Sequence, residues 1–246
     1  DFLFLDYPKF FSKTERFIYF FIKYSAKKSD HIITISNSEK NRIIRHLNLI
    51  EDKVSFVYHG IDKSFKPYSP KEKKLIKEKF NLPNEYILYV GRVNVRKNLE
   101  ILLDANILLK KKYKIVLIGG SDNDNGLINR TKLDFKNDVI IMGHISQDNL
   151  SAVLAAAKVL VFSSLAEGFG LPPVEAMKSG VPVIVSNIEV HKEICSSSAL
   201  YFNPFSVKDL VEKIKTIFEN SKENERYINL GKKRAEIFQW KKAVNQ

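Results

Sequence analysis

Two glutamates of possible chemical use lie in the stretch EGFGLPPVE, where Glu167 and Glu175 are eight positions apart. Two glycines and two prolines lie between them, so the stretch cannot be one regular helix. Proline suits the first turn of a helix, so we predict a helix that begins at PPVEAMKSG and stops near Gly180. Glu167 is then expected in the preceding loop, and Glu175 in the first turn of the helix.

The glycines of this stretch favour an anion site made of backbone. Gly168 and Gly170 leave the chain uncluttered, so the amides at Phe169, Gly170 and Leu171 can point toward a ligand. Backbone N–H groups at a helix N-terminus attract phosphate groups. The stretch therefore predicts a phosphate-binding loop that is flanked by two acids.

The two acids should face something uncharged, because like charges within a few ångströms repel strongly unless they are screened. An ionised carboxylate only accepts hydrogen bonds, and a nucleotide sugar offers hydroxyl groups on both sides of its diphosphate. One acid can then hold the sugar and the other the ribose. The alternative is that Glu175 merely matches the helix dipole and that Glu167 is exposed.

A second group of chemically useful residues lies in the stretch YVGRVNVRKN. Gly91 permits a sharp turn after an apolar run, and Arg92 and Lys97 follow in a loop that leads into the next helix. Two fixed cations there can neutralise a diphosphate leaving group, on which charge builds up as a glycosidic bond breaks. Ordinary surface charge is the alternative explanation.

The elements around these motifs alternate regularly, which predicts an α/β domain. From Glu85 onward, apolar runs are separated by helical stretches, as in a doubly wound parallel sheet with crossover helices. Ligands of such domains bind outside the carboxyl ends of the strands. We therefore expect the residues that end these runs to cluster at the site, namely Gly91, Gly119, Gly143, Ser163 and Ser186.

The composition excludes several classes of protein. A chain of 246 residues with 44% hydrophobic content can bury a sizeable core, in roughly one to two domains. Its longest apolar run, Phe17 to Ile22, is far shorter than the ~20 residues that a membrane-spanning helix needs. The lone Cys195 cannot form an internal disulfide, which fits a cytoplasmic protein.

The net charge of +12 predicts attraction to anions. Mixed runs such as KEKKLIKEKF are typical of a solvated helix face, so nucleic acid is not the expected partner. The run RFIYFFIKYSAKK interleaves aromatic residues with cations and suits the surface of an anionic bilayer, although it can equally pack inside a domain.

Together these motifs resemble those of the family-four (group 1) retaining glycosyltransferases, which have the two-domain GT-B fold. The similar stretches are SDHIITISNSEK, YHGID, YVGRVNVRKN, EGFGLPPVEAMKSGVPVIVSN and the late FQW, so they extend over nearly the whole chain. The most specific part is the pair of acids at Glu167 and Glu175, together with the preceding GR-x4-K pattern.

The resemblance implies roles for particular residues. Arg92 and Lys97 match the cations that contact the donor diphosphate, Glu167 matches the acid that holds the transferred sugar, and Glu175 matches the acid that binds the ribose. It further implies transfer with retention of configuration, in which the departing diphosphate helps to deprotonate the acceptor hydroxyl. No metal and no cofactor are implied beyond the nucleotide-diphosphate sugar.

The turn GHIS lies where related enzymes hold the nucleotide base. Its residues Gly143, His144 and Ile145 are therefore candidate donor-binding residues. His144 can equally be an exposed loop histidine, because a role in binding the base needs a partner that the sequence does not show.

The resemblance also suggests how the chain is organised. Residues 1–62 match only the end of the N-terminal acceptor-side α/β domain, and 63–84 are expected to form a linker and a lead-in helix. Residues 85–246 are expected to form the complete Rossmann-like donor-binding domain, whose last helices can pack back on the N-terminal part. We therefore expect the chain to be a fragment of a longer enzyme.

Other functions remain open on the sequence alone. Asp122 and Asp124 in SDNDNG have the spacing of a metal-binding pair, but the same residues are typical of a polar turn. The favoured function is transfer of a hexose, with mannose as the candidate, to a polysaccharide or lipid-linked glycan. The alternatives are a non-catalytic nucleotide-sugar-binding module and a basic adaptor at the inner face of a membrane.

Overall fold

The first part of the chain forms a small α/β unit in the computed structural model, which describes residues 1–120 and 138–244. Its elements are α1 (Leu3–Asp6), α2 (Lys13–Lys28), β1 (Ile32–Thr34), α3 (Asn37–Leu47) and β2 (Val54–Phe56). The two strands pair in parallel. Phe2, Phe4, Ile43, Leu47 and Val54 form its buried core, so this unit has an apolar cluster of its own.

A second, six-stranded parallel sheet follows. Its strands are β3 (Tyr86–Val90), β4 (Lys114–Ile118), β5 (Val139–Gly143), β6 (Val159–Phe162), β7 (Val183–Ser186) and β8 (Leu200–Phe202). Their order across the sheet is β5-β4-β3-β6-β7-β8, and every neighbouring pair is parallel. The chain thus winds outward in both directions from the central pair β3 and β6. In such sheets, the crevice beyond the carboxyl ends of this central pair is where ligands bind.

Helices cover both faces of this sheet. They are α4 (Pro70–Lys79), α5 (Leu99–Leu108), α6 (Gln147–Ala156), α7 (Leu171–Lys178), α8 (Glu189–Cys195), α9 (Val207–Glu219), α10 (Ser221–Ala235) and α11 (Trp240–Val244). Successive strand residues point to opposite faces, so Tyr86 and Leu88 join one core while Ile87 and Tyr89 join the other. Near-continuous apolar strands are what a sheet covered on both faces requires. The doubly wound α/β fold is confirmed.

The end of the chain packs against the segment that follows β2. The amide of Ile61 donates to the carbonyl of Phe238 at 3.0 Å. The rings of Tyr58 and Phe238 lie 5.6 Å apart. These contacts agree with the expected return of the last helices toward the N-terminal part. The domain boundaries at 62 and 85 stay predictions.

The start of α3 and two further points bear on the site. Ser36 caps α3, and its hydroxyl accepts from the amide of Glu39 at 3.1 Å. Among the described residues, no helix is long and apolar enough to cross a bilayer. Asp122 and Asp124, whose spacing allows a metal pair or a polar turn, lie outside the residues that the structure describes.

Candidate functional site

The loops that follow β3 and β6 lie side by side at the centre of the sheet edge. The amide of Leu165 donates to the carbonyl of Arg96 at 2.8 Å. The hydroxyl of Ser163 donates to the carbonyls of Lys97 and Asn98, at 3.0 and 2.8 Å. The two stretches that carry the candidate residues are therefore fixed to each other at the crevice where this fold binds ligands.

Glycines and serines cluster along this edge, as predicted. A side chain on Gly119 would place its Cβ 2.4 Å from the carbonyl oxygen of Gly91, so only glycine permits this close approach. The amide of Gly119 also donates to the carbonyl of Gly143 at 2.8 Å. Further along, the hydroxyl of Ser186 donates to the carbonyl of Ser164.

Glu167 is a buried carboxylate, with only 9% of its surface exposed. Its Oε1 lies 2.6 Å from Nζ of Lys97 and 3.1 Å from a guanidinium nitrogen of Arg96. Burial alone would raise the pKa of Glu167, but Lys97 and then Arg96 hold the pKa below its ordinary value. Glu167 is therefore an ionised acceptor at neutral pH, which excludes the alternative that it is an exposed surface acid.

Lys97 lies in a short 3-10 turn, Val95–Lys97, before α5. Its ammonium group is within 4.7 Å of the ring centre of Phe162, in addition to its contact with Glu167. Burial lowers the pKa of Lys97, and the neighbouring Glu167 opposes this. The cation is thus held in place by both an acid and an aromatic ring.

The second cation at Glu167 is Arg96 and not Arg92. Arg96 also donates to the carbonyl of Ala166 at 2.8 Å, so it bridges the two loops. Arg92 is exposed. Its charge helps to lower the pKa of Glu15, after the hydrogen bonds from Ser12. A diphosphate contact of Arg92 stays a prediction. Arg96 was not predicted as a site residue, because the sequence shows Arg96 and Lys97 side by side without indicating which side chain points toward Glu167.

The helix that carries Glu175 begins earlier than predicted. α7 starts at Leu171, because Gly170 adopts a left-handed φ of 97° and serves as its N-cap. Glu175 is therefore the fifth residue of the helix, and its first turn contains no acid. The predicted first-turn position is wrong, and with it the explanation that Glu175 matches the helix dipole, which acts within the first turn.

Glu175 is mostly withdrawn from water, and burial raises its pKa to about 7. Over residues 1–120 and 138–244 no lysine or arginine forms an ion pair with it. Its carboxyl group therefore titrates near neutral pH, and its ionised form has unused capacity to accept hydrogen bonds.

A cavity of about 260 Å³ opens beside Glu167. Its lining consists of Asp1, Ile35, His59, Lys97, Phe162, Glu167, Gly168, Phe169, Gly170, Leu171 and Pro172. All residues of the predicted anion loop, from Gly168 to Leu171, therefore line this cavity. Phe169 as a whole is buried, so its ring is part of the core beneath the loop.

His59 lines this cavity, although no motif of the sequence predicts that position. Its ring lies 5.2 Å from that of Phe169 and 6.2 Å from that of Trp240. Burial lowers the pKa of His59, so the imidazole is neutral at pH 7 and can both donate and accept a hydrogen bond. Only the fold brings YHGID next to EGFG.

His191 is a second histidine that the sequence did not single out. It is fully buried, and its Nδ1 lies 2.9 Å from the carbonyl oxygen of Ser186, so Nδ1 carries the proton. Its Nε2 has no hydrogen-bond partner among the described residues and faces Gly170. Burial lowers the pKa of His191 to about 4, so the ring is neutral beneath the loop.

The predicted base-binding turn lies at the same edge of the sheet but outside this cavity. Gly143 ends β5, His144 is exposed, and Ile145 packs partly against the core. Their role in binding a base stays a prediction. In the described part of the chain, no cluster of three His, Cys, Asp or Glu side chains has the arrangement of a metal site.

Comparison with known proteins gives the family. Residues 70–234 match the family model described as glycosyl transferases group 1. The chain is 31% identical over 200 residues to the O-antigen chain mannosyltransferase RfbU of Salmonella typhimurium, covering 80% of this chain and 54% of that protein. It is 30% identical over 224 residues to the O-antigen chain mannosyltransferase B of Escherichia coli, covering 87% of this chain and 58% of that protein.

The fold has close structural counterparts as well. Anabaena Alr3699/HepE, crystallised in complex with UDP and glucose, superimposes with a TM-score of 0.82 at 19% identity. The match covers 94% of this chain and 65% of that one. The chain thus has the GT-B type of α/β fold, and it spans little more than half the length of the two mannosyltransferases. It belongs to the group 1 family of glycosyltransferases.

Proposed function

We propose that this chain supplies the donor-binding side of a retaining glycosyltransferase that moves a hexose from a nucleotide-diphosphate sugar to a glycan acceptor. The observation that carries the proposal is Glu167, a buried carboxylate kept ionised by Lys97 and Arg96 at the mouth of a backbone anion loop. Such a carboxylate can accept hydrogen bonds from the hydroxyl groups of a sugar.

The diphosphate is proposed to lie over the N-terminus of α7. The helix dipole favours negative charge there, and because Pro172 and Pro173 have no N–H, the amide that the helix itself offers is that of Leu171. Gly168 and Gly170 line the cavity at this point, and Lys97 adds a fixed positive charge beside it. The sugar then points toward Glu167, and the ribose toward Glu175 in the next turn of the helix.

In the proposed reaction, the bond between the anomeric carbon and the diphosphate oxygen breaks while the acceptor oxygen bonds to the same face of that carbon. The electron pair of the broken bond goes to the diphosphate, and the proton of the acceptor hydroxyl passes to a diphosphate oxygen. Lys97, Arg92 and the helix N-terminus stabilise the charge that develops on the leaving group. Glu167 and Glu175 position the donor and need not transfer protons.

Mannose is the proposed sugar, and a bacterial polysaccharide or lipid-linked glycan the proposed acceptor. Support comes from the relatives named as O-antigen chain mannosyltransferases, of which the chain covers 54% and 58%. The neutral imidazole of His59 is compatible with a sugar ligand, because the hydroxyl groups of an uncharged sugar both donate and accept hydrogen bonds.

Calorimetric titration of the purified chain with GDP-mannose and UDP-glucose tests this proposal. We expect one of the two to bind, and Glu167→Gln to weaken its binding at least tenfold, as expected when a charge-assisted hydrogen bond is lost. Glu189→Gln, an exposed acid on α8, serves as the control. No binding of either compound at millimolar concentration would contradict the proposal. Binding without transfer to any acceptor would favour the non-catalytic module.

A second proposal concerns α2, which we infer to rest on the cytoplasmic face of an anionic membrane. None of its 16 residues is buried. Phe17, Phe20 and Phe21 are each more than half exposed, with exposed fractions of 67%, 63% and 55%. The lysines and arginine of the same helix complement the charge of anionic lipids.

Cosedimentation with vesicles tests this contact. We expect the chain to bind phosphatidylglycerol vesicles and not phosphatidylcholine vesicles, because both the aromatic face and the cations contribute. Phe17→Ser with Phe21→Ser should abolish binding and leave the titration with nucleotide sugar unchanged. Equal binding of the double variant and the unaltered chain would contradict the membrane contact.

A further inference from the structure

Glu193 of α8 joins the main α/β domain to the first turn of α3. Its Oε1 accepts from the amide of Asn37 at 2.7 Å, and its Oε2 accepts from the amide of Ser38 at 2.7 Å. The hydroxyl of Ser38 donates to Oε2 as well. The first amides of a helix have no acceptor within it, so a carboxylate from outside satisfies both their hydrogen bonds and the helix dipole.

The same turn of α3 reaches the candidate donor loop from its other side. Ser36, which is fully buried, caps the helix through Glu39 and donates its hydroxyl hydrogen to the carbonyl oxygen of Gly168 at 2.7 Å. Gly168 directly follows the sugar-binding candidate Glu167. One helical turn therefore contacts Glu193 and the anion loop together.

α8 is itself held firmly, so Glu193 has a fixed position. The guanidinium of Arg234 donates to the carbonyls of Ile194 and Glu193, at 2.8 and 2.6 Å. Tyr58 lies close to the carboxylate, and its burial together with Glu193 raises the pKa of this phenol to about 12. Arg234 thus holds the backbone of Glu193, and Tyr58 lies beside its carboxylate.

We propose that Glu193 is a positioning residue for donor binding, which acts through Ser36 on the peptide between Gly168 and Phe169. In a planar trans peptide, the C=O and the following N–H point in opposite directions. A carbonyl of Gly168 fixed by Ser36 therefore fixes the Phe169 N–H, one of the amides assigned above to the diphosphate. The inference rests on the proposed donor site and adds to it a residue that does not touch the ligand.

The position of the contact explains why a carboxylate is needed at residue 193. Glutamine keeps one acceptor oxygen but turns an NH2 group toward one of the two donating amides, so one hydrogen bond is replaced by a donor–donor contact. The charge that matches the N-terminus of α3 is lost at the same time. The turn of α3 that carries Ser36 is then free to move away from Gly168.

Hydrogen exchange of the unliganded chain tests the connection without any donor. Phe169 and Gly170 are buried, so their amides exchange only when the loop opens locally; in Glu193→Gln we expect this opening, and with it their exchange, to be about tenfold faster. Ser36→Ala should have the same effect, and Ser36→Thr, which keeps a hydroxyl group, should restore slow exchange. Glu189→Gln on the same helix is the matched control and should change nothing.

Titration with GDP and GDP-mannose provides the functional readout, at a temperature where circular dichroism shows every variant fully folded. Glu193→Gln and Ser36→Ala should each weaken binding about tenfold, and the double variant no more than one of them, because both act through one hydrogen bond. Faster exchange confined to Asn37 and Ser38, with binding unchanged, would show a local helix cap and overturn the proposal. If the exchange effect is present but the unaltered chain binds no nucleotide, the proposed function fails and not this connection.

Discussion

Glu167 and Glu175 lie in one loop and helix, and both are withdrawn from water, but their surroundings differ in charge. Glu167 has two cations within 3.1 Å. Glu175 has no ion pair with any described residue, and its pKa is raised to about 7. Burial acts in the same direction on both acids, so the difference between their pKa values comes from Lys97 and Arg96.

This difference indicates two tasks. An acid that is ionised at every physiological pH is a permanent acceptor, suited to holding the hydroxyl groups of a sugar. An acid that titrates near neutral pH exchanges a proton when a ligand binds, so the affinity it contributes depends on pH. The following predictions test the contrast, from the largest expected effect to the smallest.

Glu167→Ala should have the largest effect on stability. It leaves two neighbouring cations without their anion in a buried place, so we expect the free energy of unfolding to fall by about 3 kcal/mol at pH 7. Urea denaturation measures this, with the exposed Glu225→Gln as control. In the unaltered chain this contribution is present above about pH 4.5 and is lost as the pH falls through the lowered pKa. An alanine variant as stable as the unaltered chain would refute the ion-pair contribution.

Glu175→Gln should raise the free energy of unfolding at high pH, whereas Glu167→Ala lowers it. The folded pKa of about 7 lies above the ordinary value of 4.5, so the unfolded chain loses this proton first and stability falls as the pH rises between these values. The variant should therefore match the unaltered chain at pH 4. At pH 8 it should exceed it by about 2 kcal/mol, after allowance for partial exposure. Thermal denaturation at both pH values measures this, and a gain of equal size at pH 4 would contradict the burial argument.

Of the two arginines in the loop after β3, we expect Arg96 to contribute to stability and Arg92 to contribute to ligand binding. Arg96→Met removes one hydrogen bond and one ion pair between the loops, so we expect a loss of about 1 kcal/mol in unfolding free energy. Arg92→Met should change stability by less than about 0.5 kcal/mol, because the side chain is exposed. If Arg92 contacts the diphosphate, the same variant should weaken GDP binding about tenfold in calorimetric titration. Unchanged binding in Arg92→Met would remove Arg92 from the site.

Much of the site could be predicted from the sequence because its signals are local. The acids, glycines and prolines of EGFGLPPVE specify a loop followed by a helix over a few residues, and Lys97 follows a strand at short range. The family resemblance also indicated the GT-B fold. The predicted start of α7, Pro172, is one residue too late, since Gly170 is the N-cap and the helix begins at Leu171.

The remaining residues could not be predicted because they depend on contacts distant in the chain. Ser36 meets Gly168 across 132 positions, and Asn37 meets Glu193 across 156. His59 lies between the rings of Phe169 and Trp240, which are both distant from it in the chain. Arg96 was missed for a different reason, since neighbouring cations in one turn look alike until the direction of each side chain is known.

Titration of the unaltered chain, Glu167→Gln and Glu175→Gln with a nucleoside diphosphate and its sugar conjugate tests the central claim most directly. The ligands are GDP and GDP-mannose, or UDP and UDP-glucose where the latter is the donor that binds. The Glu167→Gln variant should bind GDP as tightly as the unaltered chain does. It should bind GDP-mannose no more tightly than GDP, because the contact with the sugar is lost. Glu175→Gln should weaken both ligands by a similar factor and lose the rise in affinity expected as the pH increases through about 7. Equal weakening of both ligands by both variants would contradict the assignment of sugar to Glu167 and ribose to Glu175.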